Sequence, residues 1–274
     1  RDGFSVEYGT SVGVKNPVVE PNFVTDGYTY ASNFNRAYIN AQGATPQGVN
    51  KTLPFSQDYL DQLKRRSNDP SLPRIEVDEN GQYIYYESTD WYDELYKDYL
   101  FSNEHNLSIS RRTDKMDFLV SGRFQDQEGL FRYNSDDFKM YNLRAKGSID
   151  LFPWLRASND FDYAERYFFN PLNVGEGGGI WRNIADEGHP IAPMLNPDGT
   201  LTHSAAYTVG DFYYGKNGKD YQRSILGNKT EVEALLLDNR LKIVGDFSFR
   251  NTTNNISEKR VPVPYSRFEG EILY

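Results

Sequence analysis

The segment from residue 4 to residue 14 alternates between apolar and polar side chains with a period of two. One side carries Phe4, Val6, Tyr8, Thr10, Val12 and Val14, and the other side carries Ser5, Glu7, Gly9, Ser11 and Gly13. This period is that of a β-strand, and a strand with one apolar and one polar face separates two different environments. The same pattern recurs at least six more times along the chain, so the sequence predicts an all-β protein.

The repeats predict seven strands, at about residues 3–15, 104–112, 115–126, 138–151, 155–167, 228–238 and 240–251. Tight connections alternate with longer ones, and two of the latter, residues 16–103 and 168–227, are long loops. Tight turns on one rim and long loops on the other are typical of transmembrane antiparallel β-barrels of the outer membrane. We therefore expect a barrel segment whose long loops lie on the extracellular side.

The first long loop contains signals for short elements of its own. Residues 56–66 predict a helix that starts at the cap Ser56, and residues 90–100 predict a second helix that starts at the cap Asp90. In the second stretch, Trp91, Leu95 and Tyr99 fall on one face and predict a packed amphipathic helix. Between the two stretches, residues 74–77 and 82–86 flank an Asp-Glu-Asn-Gly turn and predict a β-hairpin.

Composition narrows the possibilities further. The chain has 274 residues and no cysteine, which excludes disulfides and thiolate chemistry. The net charge of −9 argues against nucleic acid as a partner. The mean hydropathy of −0.71 and the lack of an apolar run of about 18 residues argue against membrane helices. Neither observation argues against a barrel, because only alternate residues of its strands face lipid.

An odd, open set of seven strands leaves two unpaired edges, which hydrocarbon does not tolerate. Arg1-Asp2-Gly3 leads directly into the first strand. We therefore expect that the chain begins in the middle of a longer protein and that the remaining barrel strands lie outside it.

Four blocks of residues carry a family resemblance. They are Thr89-Asp90-Trp91, Asn106-Leu107-Ser108-Ile109-Ser110, Gln125-Asp126-Gln127-Glu128-Gly129 and Tyr141-Asn142-Leu143-Arg144. In this order and with these gaps they closely resemble the SusC/RagA family of TonB-dependent transporters. The resemblance covers most of residues 3–170 and is looser from there to residue 274. Arg111-Arg112 departs from the glycines that many members have at this turn, which bears little on function.

The resemblance implies a 22-stranded barrel with an N-terminal plug inside it, in a Gram-negative outer membrane. It further implies a SusD-like surface lipoprotein as a hinged lid, import powered through TonB, and dimers of transporter–lid pairs. This chain then forms the first third of the barrel, while the plug domain and the TonB box lie outside it. Asn196-Pro197-Asp198-Gly199 resembles a loop element found in many members.

Candidate ligand-binding residues lie in the loop at residues 168–227, where binding groups concentrate in barrels of this kind. Aromatic rings stack on sugars, and charged groups bind hydroxyls, which singles out Trp181, Arg182, Asp211, Tyr213 and Tyr214. The alternative is that these side chains pack the loop against itself or against the lid.

Catalytic and cofactor motifs are lacking. The three histidines, His105, His189 and His203, are far apart in sequence and without ligand spacing, so we expect neither a metal site nor a cofactor. Asp160 and Asp162 lie on one strand face, where lumenal charge explains them better than glycoside hydrolysis. Gly175-Glu176-Gly177-Gly178-Gly179 lacks the lysine of a phosphate-binding loop. We expect a transporter rather than an enzyme.

The substrate class stays open at this level. Aromatic residues make up 15% of the chain, which favours oligosaccharides over oligopeptides as the imported solute. A rival from another class is a soluble β-rich protein that binds or cleaves glycans, in which a second sheet would bury the apolar face. A third possibility is a passive porin or an adhesin barrel without a lid.

Overall fold

The computed structural model describes residues 3–18, 20–47, 54–173 and 179–274, without the side chain of Trp181. Most of the glycine-rich stretch that the sequence singled out, residues 175–178, lies outside the described part. Among the described residues, no helix combines the length and the apolar character needed to cross a bilayer.

Seven strands form one antiparallel sheet in the order β1-β4-β5-β6-β7-β8-β9. Their bounds are β1 Gly3–Lys15, β4 Leu100–Arg112, β5 Met116–Glu128, β6 Asp137–Phe152, β7 Leu155–Pro171, β8 Gly218–Leu236 and β9 Leu241–Lys259. The remaining two strands, β2 Ile75–Val77 and β3 Tyr83–Tyr85, form a separate small hairpin. Since each strand of the large sheet pairs with its neighbour in the chain order, the sheet is a simple up-and-down meander.

Six helices lie in the described connections: α1 Gly27–Gln42, α2 Gln57–Asn68, α3 Trp91–Leu95, α4 Ile180–Glu187, α5 His203–Thr208 and α6 Gly210–Tyr214. Ser56 caps α2 and Asp90 caps α3, as their positions in the sequence predict. No sequence pattern predicted α1, which starts at a glycine after the cap Asp26 and has weak amphipathic character. Gly43 ends α1 in the left-handed conformation, with a φ of 70°.

Two strand boundaries need correction. β8 begins at Gly218 rather than at residue 228, and β9 continues to Lys259 rather than ending at residue 251. The extra residues do not keep a regular alternation of apolar and polar side chains, so the sequence pattern does not mark them. Their backbones still pair with each other, and those of β8 pair also with β7. With β4 and β7 also longer than expected, the two long loops shorten to residues 16–99 and 172–217.

The sheet register assembles one apolar face from the alternating residues of all seven strands. One row of neighbours, for example, reads Val6, Ile109, Val120, Ala145 and Phe161 across five strands. This face is open to the outside: Val12 is 73% exposed and Phe247 is 68% exposed. Among the described residues no second layer covers it.

The opposite, polar face carries charged residues that pair with one another, in all but one case across strands. Ion pairs on this face are Arg123–Glu104 (2.6 Å), Arg144–Asp160 (2.8 Å), Arg156–Asp117 (3.1 Å), Lys229–Glu231 (2.9 Å) and Lys242–Glu233 (2.8 Å). A hollow of about 580 Å³ lies among residues of β1, β4, β5 and β6 on this side, including Asn106, Ser108, Arg123 and Arg144. The sheet therefore curls with its polar face inside.

Connections at the two ends of the sheet differ in length. At one end, residues 113–115, 153–154 and 237–240 make tight turns. Leu237, Asp238 and Asn239 all adopt positive φ in the last of these. At the other end lie residues 16–99, 129–136, 172–217 and the segment after β9. All the long connections thus lie at one end of the strands, and the tight turns lie at the other.

The long connections pack together in two hydrophobic clusters. One cluster joins the first and second long loops and the C-terminal segment through Trp91, Leu95, Ile184, Phe212 and Tyr265. The other contains Phe55, Leu60 and Leu63 of the first long loop together with Ile191. We call this packed region, made of residues 16–99, 129–136, 172–217 and 260–274, the loop assembly.

The predicted stripe of Trp91, Leu95 and Tyr99 is correct only for its first two residues. Trp91 and Leu95 are buried, but α3 ends at Leu95, and Tyr99 is 61% exposed. The expected helix at residues 90–100 is shorter because Tyr96 forms a β-bridge with Phe131 and the chain enters β4 at Leu100.

Candidate functional site

The turn from Asn196 to Gly199 is the organising element of the loop assembly. Gly199 has a φ of +84°, which side chains with a Cβ rarely adopt. The backbone amide of Asn196 donates to the carbonyl of Thr200 at 2.8 Å, and the amide of Thr200 donates to Asp198 Oδ1 at 3.0 Å. These bonds fix the turn so that the side chain of Asn196 points into the loop assembly, where it is buried.

The Asn196 amide joins three separate segments of the chain. Its Nδ2 donates to the carbonyls of Leu201 (3.3 Å) and Ser266 (3.2 Å), and its Oδ1 accepts from the Tyr85 hydroxyl (2.7 Å). Tyr85 belongs to the first long loop and Ser266 to the C-terminal segment. One buried side chain therefore links the first loop, the second loop and the C-terminal segment.

A second contact reinforces this link. The Tyr83 hydroxyl donates to Asp198 Oδ2 at 3.0 Å, and the Tyr83 amide donates to the carbonyl of Arg267 at 3.0 Å. Burial and the Asp198 carboxylate raise the pKa of Tyr83 to about 12, so the phenol stays protonated as a donor. The hydrogen bond from the Thr200 hydroxyl lowers the pKa of Asp198, which keeps it an acceptor.

Two cavities within the loop assembly are small. One, lined by Tyr59, Tyr85, His203 and Arg267 among others, has about 30 Å³, enough for one or two water molecules. A second, of about 180 Å³, is lined mainly by apolar groups of Phe23, Tyr30, Trp91, Ile184 and Pro190. Neither holds an oligomer, so a solute of that size would have to bind on the surface of the loop assembly or on the polar face of the sheet.

Two of the three histidines lie within the loop assembly. His189 is buried, its ring lies 5.8 Å from the ring of Tyr30, and its carbonyl accepts a hydrogen bond from the Trp91 indole at 3.1 Å. Burial lowers the pKa of the His189 imidazole below its usual 6.5. His203 is buried near Glu187, whereas His105 lies in β4, with its Nδ1 2.7 Å from the Tyr8 hydroxyl. In the described part of the chain no three potential metal ligands come together.

The candidate ligand residues occupy different environments. Asp211 is 1% exposed, and its carboxylate accepts a hydrogen bond from Asn217 Nδ2. Asn217 Oδ1 in turn accepts from the Val261 amide at 2.6 Å. These contacts make Asp211 a brace between α6 and the segment after β9. A carboxylate with this environment has little surface left for a solute.

Three of the remaining candidates reach the surface. Arg182 in α4 pairs with Asp186 at 3.0 Å along the helix and is otherwise exposed. Tyr213 is 43% exposed and packs edge-on against Tyr133, with ring centroids 5.2 Å apart. The hydroxyl of its neighbour Tyr214 accepts from Lys216 Nζ at 2.8 Å. The side chain of Trp181, the fifth candidate, lies outside the described part.

Comparison with known proteins gives structural but no sequence matches. No protein-family model matches the chain, and no curated protein matches it. Solved structures of the RagAB peptide importer do: the "closed-closed" state has a TM-score of 0.59 at 15% identity over 98% of this chain. The "open-open" state has a TM-score of 0.59 at 16% identity over 97% of it. The chain spans about 30% of the length of those chains. At this identity the likeness concerns the fold.

Substitution of Asn196 tests its role as the link. Asn196→Ala removes both the donor and the acceptor and leaves the half-buried Tyr85 hydroxyl without this partner. We expect the free energy of opening the loop assembly to fall by about 1–3 kcal/mol. The readout is hydrogen exchange at the amides of residues 196–201 and 265–268. Asn80→Ala, in the exposed hairpin turn, is the matched control and should change exchange little; equal effects of the two substitutions would refute the assignment.

The buried His189 predicts a pH dependence of the same region. Because its folded pKa is below 6.5, the unfolded state binds the proton more readily. Stability is therefore complete above pH 6.5 and is lost as the pH falls from there toward the folded pKa. Amide exchange around residues 184–192 should accelerate at pH 5 relative to pH 7.5. His189→Gln should weaken this dependence; an unchanged pH profile in the variant would assign the effect to another group.

Proposed function

We propose that this chain is the N-terminal part of the barrel domain of a TonB-dependent importer in a Gram-negative outer membrane. The observation that carries the proposal is a single-layer sheet with one apolar face, one charged face and no described layer over either. In water the apolar face would be a large exposed hydrophobic patch that promotes aggregation. Hydrocarbon on one side and a hydrated lumen on the other explain both faces at once.

The height of the apolar face supports a membrane setting. On β5, the apolar residues from Met116 to Phe124 span about 26 Å along the strand, at about 3.3 Å per residue. For a strand tilted by about 40° this becomes roughly 20 Å, comparable with the ~25 Å apolar band of outer-membrane barrels.

Aromatic residues border this band on the side of the long loops. Phe124 and Tyr141 have ring centroids 5.0 Å apart, and Tyr141 and Tyr167 have centroids 6.4 Å apart. At this height the face also becomes polar: Glu165 lies opposite Tyr141, and Gln222 and Asn255 lie in the row of Tyr167. Aromatic rings at this height are typical of the membrane interface. The long loops then lie outside the cell and the tight turns in the periplasm.

Of two rival functions, the first fits the structure less well and the second fits it equally well. A soluble glycan-binding sandwich needs a second sheet over residues such as Val12 and Phe247, and these are exposed. A passive porin or an adhesin would share the barrel, and only the sequence resemblance argues for the plug, the lid and TonB. We favour an importer without catalytic chemistry of its own, in which a SusD-like lipoprotein covers the loop assembly and transporter–lid pairs form dimers.

We propose oligosaccharides or oligopeptides as the solute. The case for oligosaccharides rests on exposed aromatics, but many loop aromatics, such as Tyr83, Trp91 and Phe212, form the core. Only Tyr213 and Tyr214 among the described candidates offer rings at the surface. The case for oligopeptides rests on the fold shared with the RagAB peptide importer.

Adjacent residues on β4 test the membrane setting. Ile109 lies in the middle of the apolar face and Ser110 on the polar face, one residue apart. In the full-length protein, Ile109→Arg should reduce the free energy of folding into bilayers by about 2–4 kcal/mol, since lipid solvates the charge poorly. Ser110→Arg, whose side chain reaches water, should cost less than about 1 kcal/mol. Urea titrations of folding into lipid vesicles measure both.

Equal costs for the two substitutions, or recovery of the wild-type protein from the aqueous fraction without detergent, would contradict the barrel.

Candidate ligand residues at the loop surface can be tested by uptake. The double substitution Tyr213→Ala and Arg182→Ala removes exposed groups and should lower uptake of the transported solute at least about tenfold, as loss of a stacked ring and a charged contact predicts. Asp211→Asn should act differently, through the folding of the loop, and should show increased hydrogen exchange at residues 210–217. Unchanged uptake in the double variant would assign these side chains to loop packing.

A further inference from the structure

Arg166 of β7 and Arg223 of β8 lie directly opposite each other on the polar face. Side chains in such positions have Cβ atoms about 5 Å apart, and like charges there repel each other. Both side chains are exposed, and among the described residues neither guanidinium makes an ion pair or a hydrogen bond. They differ in this from Arg123, Arg144 and Arg156 on the same face, each of which pairs with a carboxylate.

The row of residues next to this arginine pair, on the side of the long loops, is apolar and aromatic. In register it contains Phe138, Phe168, Tyr221 and Ile256. Phe168 and Tyr221 have ring centroids 5.9 Å apart, and both Phe168 and Ile256 are exposed. An apolar shelf on a face otherwise rich in charged residues is unusual, because water on that side gives no reason for it.

We propose that Arg166 and Arg223, with the shelf of Phe168 and Tyr221, form a subsite for the carboxylate of an anionic solute. Two guanidinium groups side by side match a carboxylate through paired charge-assisted hydrogen bonds and relieve their mutual repulsion. The adjacent rings hold the apolar part of the same solute, which is a peptide residue or the face of a sugar ring. The inference rests on the proposed function, since only in a closed barrel does this face line a solute path.

The subsite restricts the solute to one that carries a carboxylate, whereas the candidate residues in the loops do not distinguish between solute classes. A carboxylate can come from the C-terminus or an acidic side chain of a peptide, or from a uronic acid in an oligosaccharide. Both sources present the same carboxylate anion, and the test below distinguishes them with one peptide probe pair and one oligosaccharide probe pair. The position of the pair, one row below the shelf and close to the loop assembly, suits the first contact of a solute that has passed the loops.

The test uses the full-length transporter with its lid protein, purified in detergent, and two matched probe pairs. One pair is a pentapeptide with a free or an amidated C-terminus. The other is a galacturonic acid tetrasaccharide or its methyl ester. We expect the wild-type protein to bind the charged member of one pair at least about tenfold more tightly by calorimetry, as charged hydrogen bonds predict. The pair that shows this preference identifies the source of the carboxylate.

The double variant R166Q/R223Q should lose the preference for charge while still binding the neutral member. R144Q is the matched control, because Arg144 lies on the same face but already pairs with Asp160. This variant should keep the preference for the charged probe. A wild-type protein without charge preference in either pair, or a double variant that retains it, would overturn the subsite.

A third outcome concerns a carboxylate from elsewhere in the same protein. If such a group neutralises the arginine pair, R166Q/R223Q will lower the melting temperature and the wild-type protein will show no charge preference, which also overturns the proposal. Uptake of neutral probes by a membrane-inserted protein would meanwhile leave the importer function intact. Failure of the subsite is thereby distinguished from failure of the proposed function.

Discussion

Backbone hydrogen bonding is the constraint on which the rest of this structure depends. A sheet in hydrocarbon must satisfy every amide and carbonyl through its neighbouring strands. The five inner strands do so on both sides in antiparallel ladders, apart from one irregularity near Asp150 in β6, and the edge strands β1 and β9 do so on one side. The ladders hold even where side chains give no alternation, as in the upper parts of β8 and β9. Side-chain chemistry is thereby left free to divide the two faces between two environments.

The loop assembly solves a different problem, that of giving long connections a fixed shape. Loops of this length cost conformational entropy, and an apolar core offsets it only if the loops share that core. Here the clusters around Trp91 and Phe55 draw residues from separate loops. The Asn196 side-chain amide adds directional contacts, because its hydrogen bonds to Tyr85 and Ser266 require one relative arrangement of the loops. A surface built this way can present Tyr213 and Arg182 in defined positions.

The sequence predicted the parts of this fold that follow from local patterns. Alternation located all seven strands of the sheet, and the caps Ser56 and Asp90 located α2 and α3. It failed where tertiary contacts decide: α3 ends early because Tyr96 bridges to Phe131, and α1 begins at a glycine. For the candidate site, Asp211 was chosen because it lies among aromatic residues of a loop. That local pattern could not reveal that its carboxylate is buried against Asn217. The turn at Asn196 was recognised as a motif, but its three partners lie far away in sequence.

The arginine pair on β7 and β8 shows how register carries information that no single strand contains. Arg166 and Arg223 are each unremarkable in an alternating strand, and their opposition arises only from the pairing of the two strands. On the same two strands, nearer the tight turn, the pair Asp160–Lys229 has complementary charges at directly opposite positions, as stable sheets prefer. A sheet selected for stability alone would have little reason to differ six residues further along. Glu231 and Asp246 are also opposed like charges, but Glu231 pairs with Lys229; the two arginines have no such counter-charge among the described residues, which is why we assign them an anion that the strands do not supply.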